Sequence, residues 1–237
     1  MRNYQKKDKL GSSWSCDFET TTDPADARVW AWIAVNMKDN SIRLHGNSME
    51  SFLHWLSMKD RTVYFHNLKF DGSYILDYLL KHNWTLNVDG RKLSNQQFNT
   101  LISDKGFFYT MTIKHPTGKT TKIIDSLKII NSSVDRIAKG WHLPISKLKI
   151  NYDEYREPGH ILTIQEKEYI INDATIVAIA LKSVLDQGMT KITAGSNAFA
   201  YYINEICGGR KNFRRTFPCS GKRRIYTQII PGRLVLY

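Results

Sequence analysis

Short alternating runs of apolar and polar residues fill the first half of this chain, and longer helical spacings take over towards the end. Trp14 to Phe18 is apolar or aromatic apart from Ser15 and Asp17, the texture of a central strand, ending near Thr20. Turn chemistry follows at Thr22-Asp23-Pro24-Ala25-Asp26. Val29 to Met37 reads as a second, buried strand. Ser41 to His45 pairs back on it after the turn at Lys38-Asp39-Asn40, so three antiparallel strands are expected. Ser48 is placed to cap a helix, with Ser51 where a capping-box acid would stand. Phe52, Leu53, Trp55 and Leu56 give that helix an apolar face through Lys59. Thr62 to His66 is a short strand, parallel to the first through this helical crossover. After Asn67 to Gly72, a second helix carries Tyr74, Ile75, Tyr78 and Leu79 on one face.

Phe107 to Lys114 and Thr120 to Asp125 flank His115-Pro116-Thr117-Gly118-Lys119, a hairpin with a longer loop, and Ser126-Leu127 closes its second strand. Val134 to Lys139 is a short helix, and residues 147–158, charged and rich in tyrosine, read as a loop. Thr163 opens the longest helix, with Glu166 completing a capping box. Its apolar positions Ile170, Ile171, Ile176, Val177, Ile179, Ala180, Val184 and Leu185 run to Gly188, and Ala194 to Ile206 forms another helix. Strands interleaved with helices make an α/β or α+β domain around a mixed sheet, α/β being the fold class expected.

Composition adds a partner class. The chain has 237 residues, with 42% hydrophobic and 12% aromatic content, enough for a real core in one domain of good size or one and a half. Its net charge of +12 suits a polyanion, because Lys and Arg neutralise phosphates and release counterions, although a basic protein with no such partner has the same balance. Cys16, Cys207 and Cys219 show neither metal spacing nor a paired framework, which fits a reducing cytoplasm. Met1 to Leu10 has no apolar leader, and no stretch reaches the ~20 apolar residues of a membrane span. A soluble, cytoplasmic protein with no membrane partner is expected.

Candidate chemistry gathers at three places. Asp17 and Glu19 alternate onto one face of the first strand, while Cys16 and Phe18 point into a core. Asp71 stands at the junction of strand and helix. Tyr169 and Asp173 are i, i+4 neighbours on the long helix. Singly, these are a strand end with solvated acids, a helix cap and a solvated face. Jointly, the four carboxylates could hold two divalent cations, Mg²⁺ or Mn²⁺, roughly 3.5–4 Å apart, as two-metal phosphodiester cleavage requires. A phenol at Tyr169 stays protonated at neutral pH and can orient the attacking water.

Cys16-Asp-Phe-Glu-Thr-Thr21, Tyr64-Phe-His-Asn-Leu-Lys-Phe-Asp-Gly72 and Tyr169-Ile-Ile-Asn-Asp173 resemble the three exonuclease motifs of the family B DNA polymerases, and are most similar to the terminal-protein-primed polymerases of phages. The likeness covers about residues 13 to 218. It continues at Val29-Trp30-Ala31, Asp125-Ser126-Leu127-Lys128, Thr193-Ala194-Gly195-Ser196 and Phe217-Pro218. It implies a ribonuclease H-like fold and a 3′→5′ exonuclease on single-stranded DNA or a primer terminus, with Asp17, Glu19, Asp71 and Asp173 as metal-site carboxylates and Tyr169 orienting water. It further implies strand contacts at Thr20, Tyr64, His66, Asn67, Phe70, Ser126, Leu127 and Tyr152, with Tyr74 standing where the family often has phenylalanine. The family's catalytic lysine aligns best with Lys147, whose spacing Lys147-x-x-Ile150-x-Tyr152 is kept; Lys149 is the competing choice. A terminal-protein primer would be a further partner.

Residues 1–190 are expected to form the nuclease domain and 191–218 the start of a connection. Residues 219–237 form an atypical tail, basic at Lys222, Arg223 and Arg224 and then apolar. No Tyr-x-Gly-Gly, palm Asp-x-x-Ser-Leu-Tyr-Pro or Asp-Thr-Asp is present, so polymerisation by this chain is not expected. A truncated or frameshifted polymerase gene would account for that; a stand-alone monomeric exonuclease with a docking tail is the rival. From other function classes, a non-catalytic binder of single-stranded DNA or terminal protein shares the charge and aromatics, and an RNA-directed nuclease shares the fold.

Overall fold

The computed structural model describes residues 10–145, 148, 150–152 and 154–218. Lys147, Lys149 and the tail from residue 219 lie outside the described residues. An eight-stranded mixed sheet runs through the centre. Its strands are β1 (Ser13–Thr20), β2 (Val29–Asn36), β3 (Arg43–Gly46), β4 (Arg61–Phe65), β5 (Thr85–Leu86), β6 (Gln97–Ile102), β7 (Phe108–Lys114) and β8 (Thr120–Asp125), in spatial order β3-β2-β1-β4-β8-β7-β6-β5. The first three strands are antiparallel, as expected, and β4 pairs parallel with both β1 and β8.

Alternation along β1 divides the core in two. Trp14, Cys16 and Phe18 face α1 (Met49–Ser57) and α2 (Leu68–Lys81), packing with Trp32, Phe52, Trp55, Val63 and Phe65. Ser15, Asp17 and Glu19 turn to the other face, as do Ala31, Ile33 and Val35 of β2. There α4 (Ile164–Asp186) lays Tyr169, Ile170, Ala174, Ile176, Val177, Ala180 and Leu181 on the sheet, with α3 (Val134–Gly140) beside it. The Thr163 capping box forms with both of its hydrogen bonds. At α1, Ser51 replaces the acid: the Ser48 hydroxyl accepts from Ser51 N–H at 3.2 Å, while Ser51 Oγ takes the Trp32 indole N–H at 2.8 Å. A Cβ at Gly46 would run into that indole.

Two features depart from the sequence pattern. β5 and β6 extend the sheet outward, although 97–102 carries only one fully buried side chain, Phe98; pairing with β7 rather than apolar alternation makes this strand. The helix expected over Ala194 to Ile206 is α-helical only to Tyr201 (α5, Ala194–Tyr201) and finishes as a wider π turn over Tyr202–Ile206. Gly208 and Gly209, with φ of 66° and 105°, then turn the chain into α6 (Arg210–Thr216).

Candidate active site

The C-terminal end of β1 supplies the first two carboxylates, Glu19 buried and Asp17 half-buried. The third comes from the turn at the end of β4. Asn67 has left-handed backbone angles, φ 84° and ψ 55°, and makes no side-chain cap to the helix it opens. That turn sends the chain into α2 and sets Asp71 in its first helical turn, 3% exposed. The fourth carboxylate, Asp173, and Tyr169 are buried on the face of α4 packed against β1 and β2.

All four carboxylates line one cavity of about 330 Å³, together with Thr20, His66, Asn67, Phe70, Tyr152 and Tyr169. Burial, then the negative charges of Asp17 and Glu19, push the Asp71 carboxyl well above the usual range, although backbone N–H groups of Asp71 and Phe18 favour its charged form. One of its oxygens, Oδ1, is buried with no hydrogen-bond partner. The Tyr169 phenol is raised far above its ordinary value by burial, by its 2.6 Å hydrogen bond with the Tyr152 hydroxyl and by the charge of Glu19, so it stays protonated. Burial and the charges of Asp17 and Asp71 likewise raise the Cys16 thiol, leaving it an inert core residue.

An all-oxygen donor set, crowded like charges and an orphaned carboxylate oxygen fit a hard divalent cation. Among the described residues, no three His, Cys, Asp or Glu side chains converge as a ligand cluster. The four carboxylates are instead distributed around the cavity lining.

The family model for DNA polymerase type B, organellar and viral, matches residues 56–176, half of the chain. The chain belongs to the type B DNA polymerases. Among its relatives, the DNA polymerase of Bacillus phage phi29 is 39% identical over 209 residues, covering 86% of this chain and 36% of that protein. The DNA polymerase of Streptococcus phage Cp-1 is 28% identical over 222 residues, covering 85% and 36%. The phi29 DNA polymerase complexed with single-stranded DNA superposes with a TM-score of 0.78 at 36% identity, over 85% of this chain and 36% of that one. This type B polymerase chain thus spans just over a third of the length of the relatives it matches. Its fold is the ribonuclease H-like one, a mixed sheet flanked by helices.

Not every residue singled out from the polymerase motifs reaches the cavity. Tyr64 is buried beneath it, among the residues packed against α4. Tyr74 stands off it, edge-on to Phe70 with ring centroids 5.6 Å apart. Ser126 is fully buried behind His66, whose Nδ1 it meets at 3.0 Å. The Ser132 carbonyl, 2.7 Å from His66 Nε2, can only accept, so Nε2 carries the proton. Leu127 is half-buried beside them. Two residues not singled out from sequence matter to this architecture, and a third, Asp125, stood there only within the run Asp125-Ser126-Leu127-Lys128. Val134, at the start of α3, lines the cavity. Asp125, at the end of β8, accepts the Asn67 N–H, and Arg156 pairs with Glu166 at 2.9 Å. Asp125 was signalled by the run Asp125 to Lys128 at the end of a strand, and Arg156 only as a lone arginine in a tyrosine-rich loop.

Proposed function

We propose that this chain is a metal-dependent 3′→5′ exonuclease acting on single-stranded DNA ends, the proofreading activity of a protein-primed DNA polymerase of phage replication. The observation that carries this reading is the convergence of Asp17, Glu19, Asp71, Asp173 and a permanently protonated Tyr169 on one cavity, where Asp71 leaves a buried oxygen unsatisfied. A protein that only bound phosphates would gain nothing from four acids beside them.

Asp17, Glu19, Asp71 and Asp173 would hold one or two Mg²⁺ or Mn²⁺ ions. Bound there, such ions lower the pKa of a water and stabilise the charge on the leaving oxygen. The Tyr169 hydroxyl makes one hydrogen bond to the attacking water and aims it at the terminal phosphorus, while Tyr152, bonded to it at 2.6 Å, fixes the phenol. As the new P–O bond forms, the bond to the 3′-oxygen of the preceding nucleotide breaks. That oxygen takes a proton, and a nucleoside monophosphate leaves. Phe70, 49% exposed at the cavity, offers a face to an unpaired base without reading its identity. The Asn67 side chain is available to a terminal sugar or phosphate. Thr20 and His66 line the same path. Tyr64, Tyr74, Ser126 and Leu127 shape it from behind or beside it. Lys147, or Lys149 in its place, would offset charge on the scissile phosphate.

Likeness to phage DNA polymerases, one of them solved in complex with single-stranded DNA, supports DNA as the partner and the host cytoplasm as the place of action; a terminal protein is a further candidate. Among the described residues no helix is long and apolar enough to cross a membrane. The test is a gel assay on a 5′-labelled single-stranded oligonucleotide. A ladder shortening from the 3′ end with Mg²⁺ and not with EDTA is expected. Binding without shortening, from folded protein, would replace the enzyme with a DNA-binding module.

A further inference from the structure

We infer that Asp125, which carries no role in the reading above, is a positioning residue that sets the DNA-binding edge of the cavity by locking the end of β4 to the end of β8; this rests on the exonuclease reading. Asp125 is the last residue of β8, paired across the parallel ladder with Phe65, the last of β4, and it is 1% exposed. Its Oδ1 accepts two backbone N–H groups, from Asn67 at 3.1 Å and from Leu127 at 3.0 Å. One oxygen therefore governs the backbone at two positions of the proposed strand-binding edge. Its Oδ2 is buried with no hydrogen bond, 3.6 Å from Lys128 Nζ.

The lock is needed where it sits. Asn67 is a non-glycine residue at φ 84°, a region such residues seldom occupy and one that costs energy unless neighbours enforce it. The chain must adopt it there to leave β4, aim the Asn67 side chain at the cavity and start α2 so that Asp71 lies against β1. Asp125 supplies the enforcement by holding the Asn67 N–H. Ser126 reinforces the same seam: its Oγ lies 3.0 Å from the Phe65 carbonyl and 3.0 Å from His66 Nδ1, and its single hydroxyl hydrogen serves one of them at a time. A neutral amide at 125 could keep both N–H contacts through its oxygen. An alanine could keep neither.

The experiment compares the full chain with Asp125→Ala, Asp125→Asn and Asp125→Ala/Asn67→Gly. Amide hydrogen exchange at Asn67 and Leu127 reads the lock itself. Protection should be lost in the alanine variant and kept in the asparagine variant. Affinity for a 5′-labelled single-stranded oligonucleotide in EDTA, where nothing is cut, reads its consequence: about tenfold weaker binding for alanine, mostly rescued by asparagine. If Asp125→Ala does not fold, adding Asn67→Gly should restore the fold, because glycine takes the left-handed angles freely. Unchanged amide protection in a folded alanine variant, a double variant as unstable as the single, or wild-type binding after protection is lost would each overturn the assignment. A wild-type chain that neither binds nor cuts DNA overturns the exonuclease reading instead, while the exchange result still judges the lock.

Discussion

The two faces of β1 are built for opposite ends. On one, Trp14 and Phe18 join a cluster of rings with Trp32, Phe52, Trp55 and Phe65. Trp14 meets Trp55 edge-on at 5.3 Å, and Phe18 meets both Phe52 and Phe65 at 4.8 Å. On the other, the side chains shrink to Ala31, Ile33, Val35, Ala174 and Val177, and β1 contributes Ser15, Asp17 and Glu19. The ring face gains its free energy by excluding water and filling space. The carboxylate face gives up that gain around a cavity and leaves like charges in one another's field. One strand thus stabilises through its even-numbered positions and places chemistry with its odd-numbered ones, and the first makes the second tolerable.

That division is broken most severely at Phe52, which is fully buried among the rings. Phe52→Ala should cost about 3–5 kcal/mol in urea unfolding, with cleavage per folded molecule unchanged. Asp17→Ala with Glu19→Ala should do the reverse. Metal-dependent shortening of single-stranded DNA should fall about a hundredfold or more, while the melting temperature holds or rises as repulsion is relieved. A double variant that digests at the wild-type rate would remove these residues from the chemistry.

A pH titration sharpens the contrast, since His115 belongs to the packed side. It is 1% exposed, edge-on to Trp84 and hydrogen-bonded to Thr121 at 2.9 Å, and burial with the charges of Arg61 and Lys114 lowers its pKa from 6.5 to about 4. The unfolded chain takes up the proton first. The stability contributed by the neutral ring is therefore complete above pH 6.5 and is lost as pH falls from there towards 4. Urea unfolding should show a loss of about 1–2 kcal/mol between pH 7 and pH 5 that His115→Gln removes. The smallest effect is expected at Tyr152→Phe, which deletes one hydroxyl partner of Tyr169. Cleavage should slow by about three- to tenfold with oligonucleotide affinity nearly unchanged.

Much of this was legible in the sequence, for identifiable reasons. β1 and β2 are visible because strands covered on both sides are apolar, and α4 because Thr163 and Glu166 announce its first turn. Asp17, Glu19, Asp71, Tyr169 and Asp173 stand out by type and spacing, and the structure gathers all five around one cavity. β6 was not visible: Gln97 to Ile102 owes its extension to β7 alongside it, which no local pattern records. Tyr74 looks from its helix phase like a neighbour of Phe70 and is one, yet helix phase alone does not record that Phe70 meets the cavity and Tyr74 does not. Arg156 was invisible for a third reason. Its importance comes from partners distant in sequence or stacked above it, with Glu166 Oε1 at 2.9 Å and the Trp30 ring 4.8 Å away, so the loop bearing Tyr152 is anchored by a buried ion pair.

The packing of α4 on β1 and β2 also has a temporal meaning. Residues near position 17 wait for residues near position 173 before the cavity has its fourth wall. The sheet from β1 to β8 can pair while that helix is still being synthesised, but contacts so far apart along the chain form late and slowly. A growing chain would therefore carry two of its acids on a half-open sheet and a third on α2, unable to complete the cavity until the long helix has left the ribosome and docked. Assembly order alone would keep the proposed nuclease silent until the fold that directs it is in place.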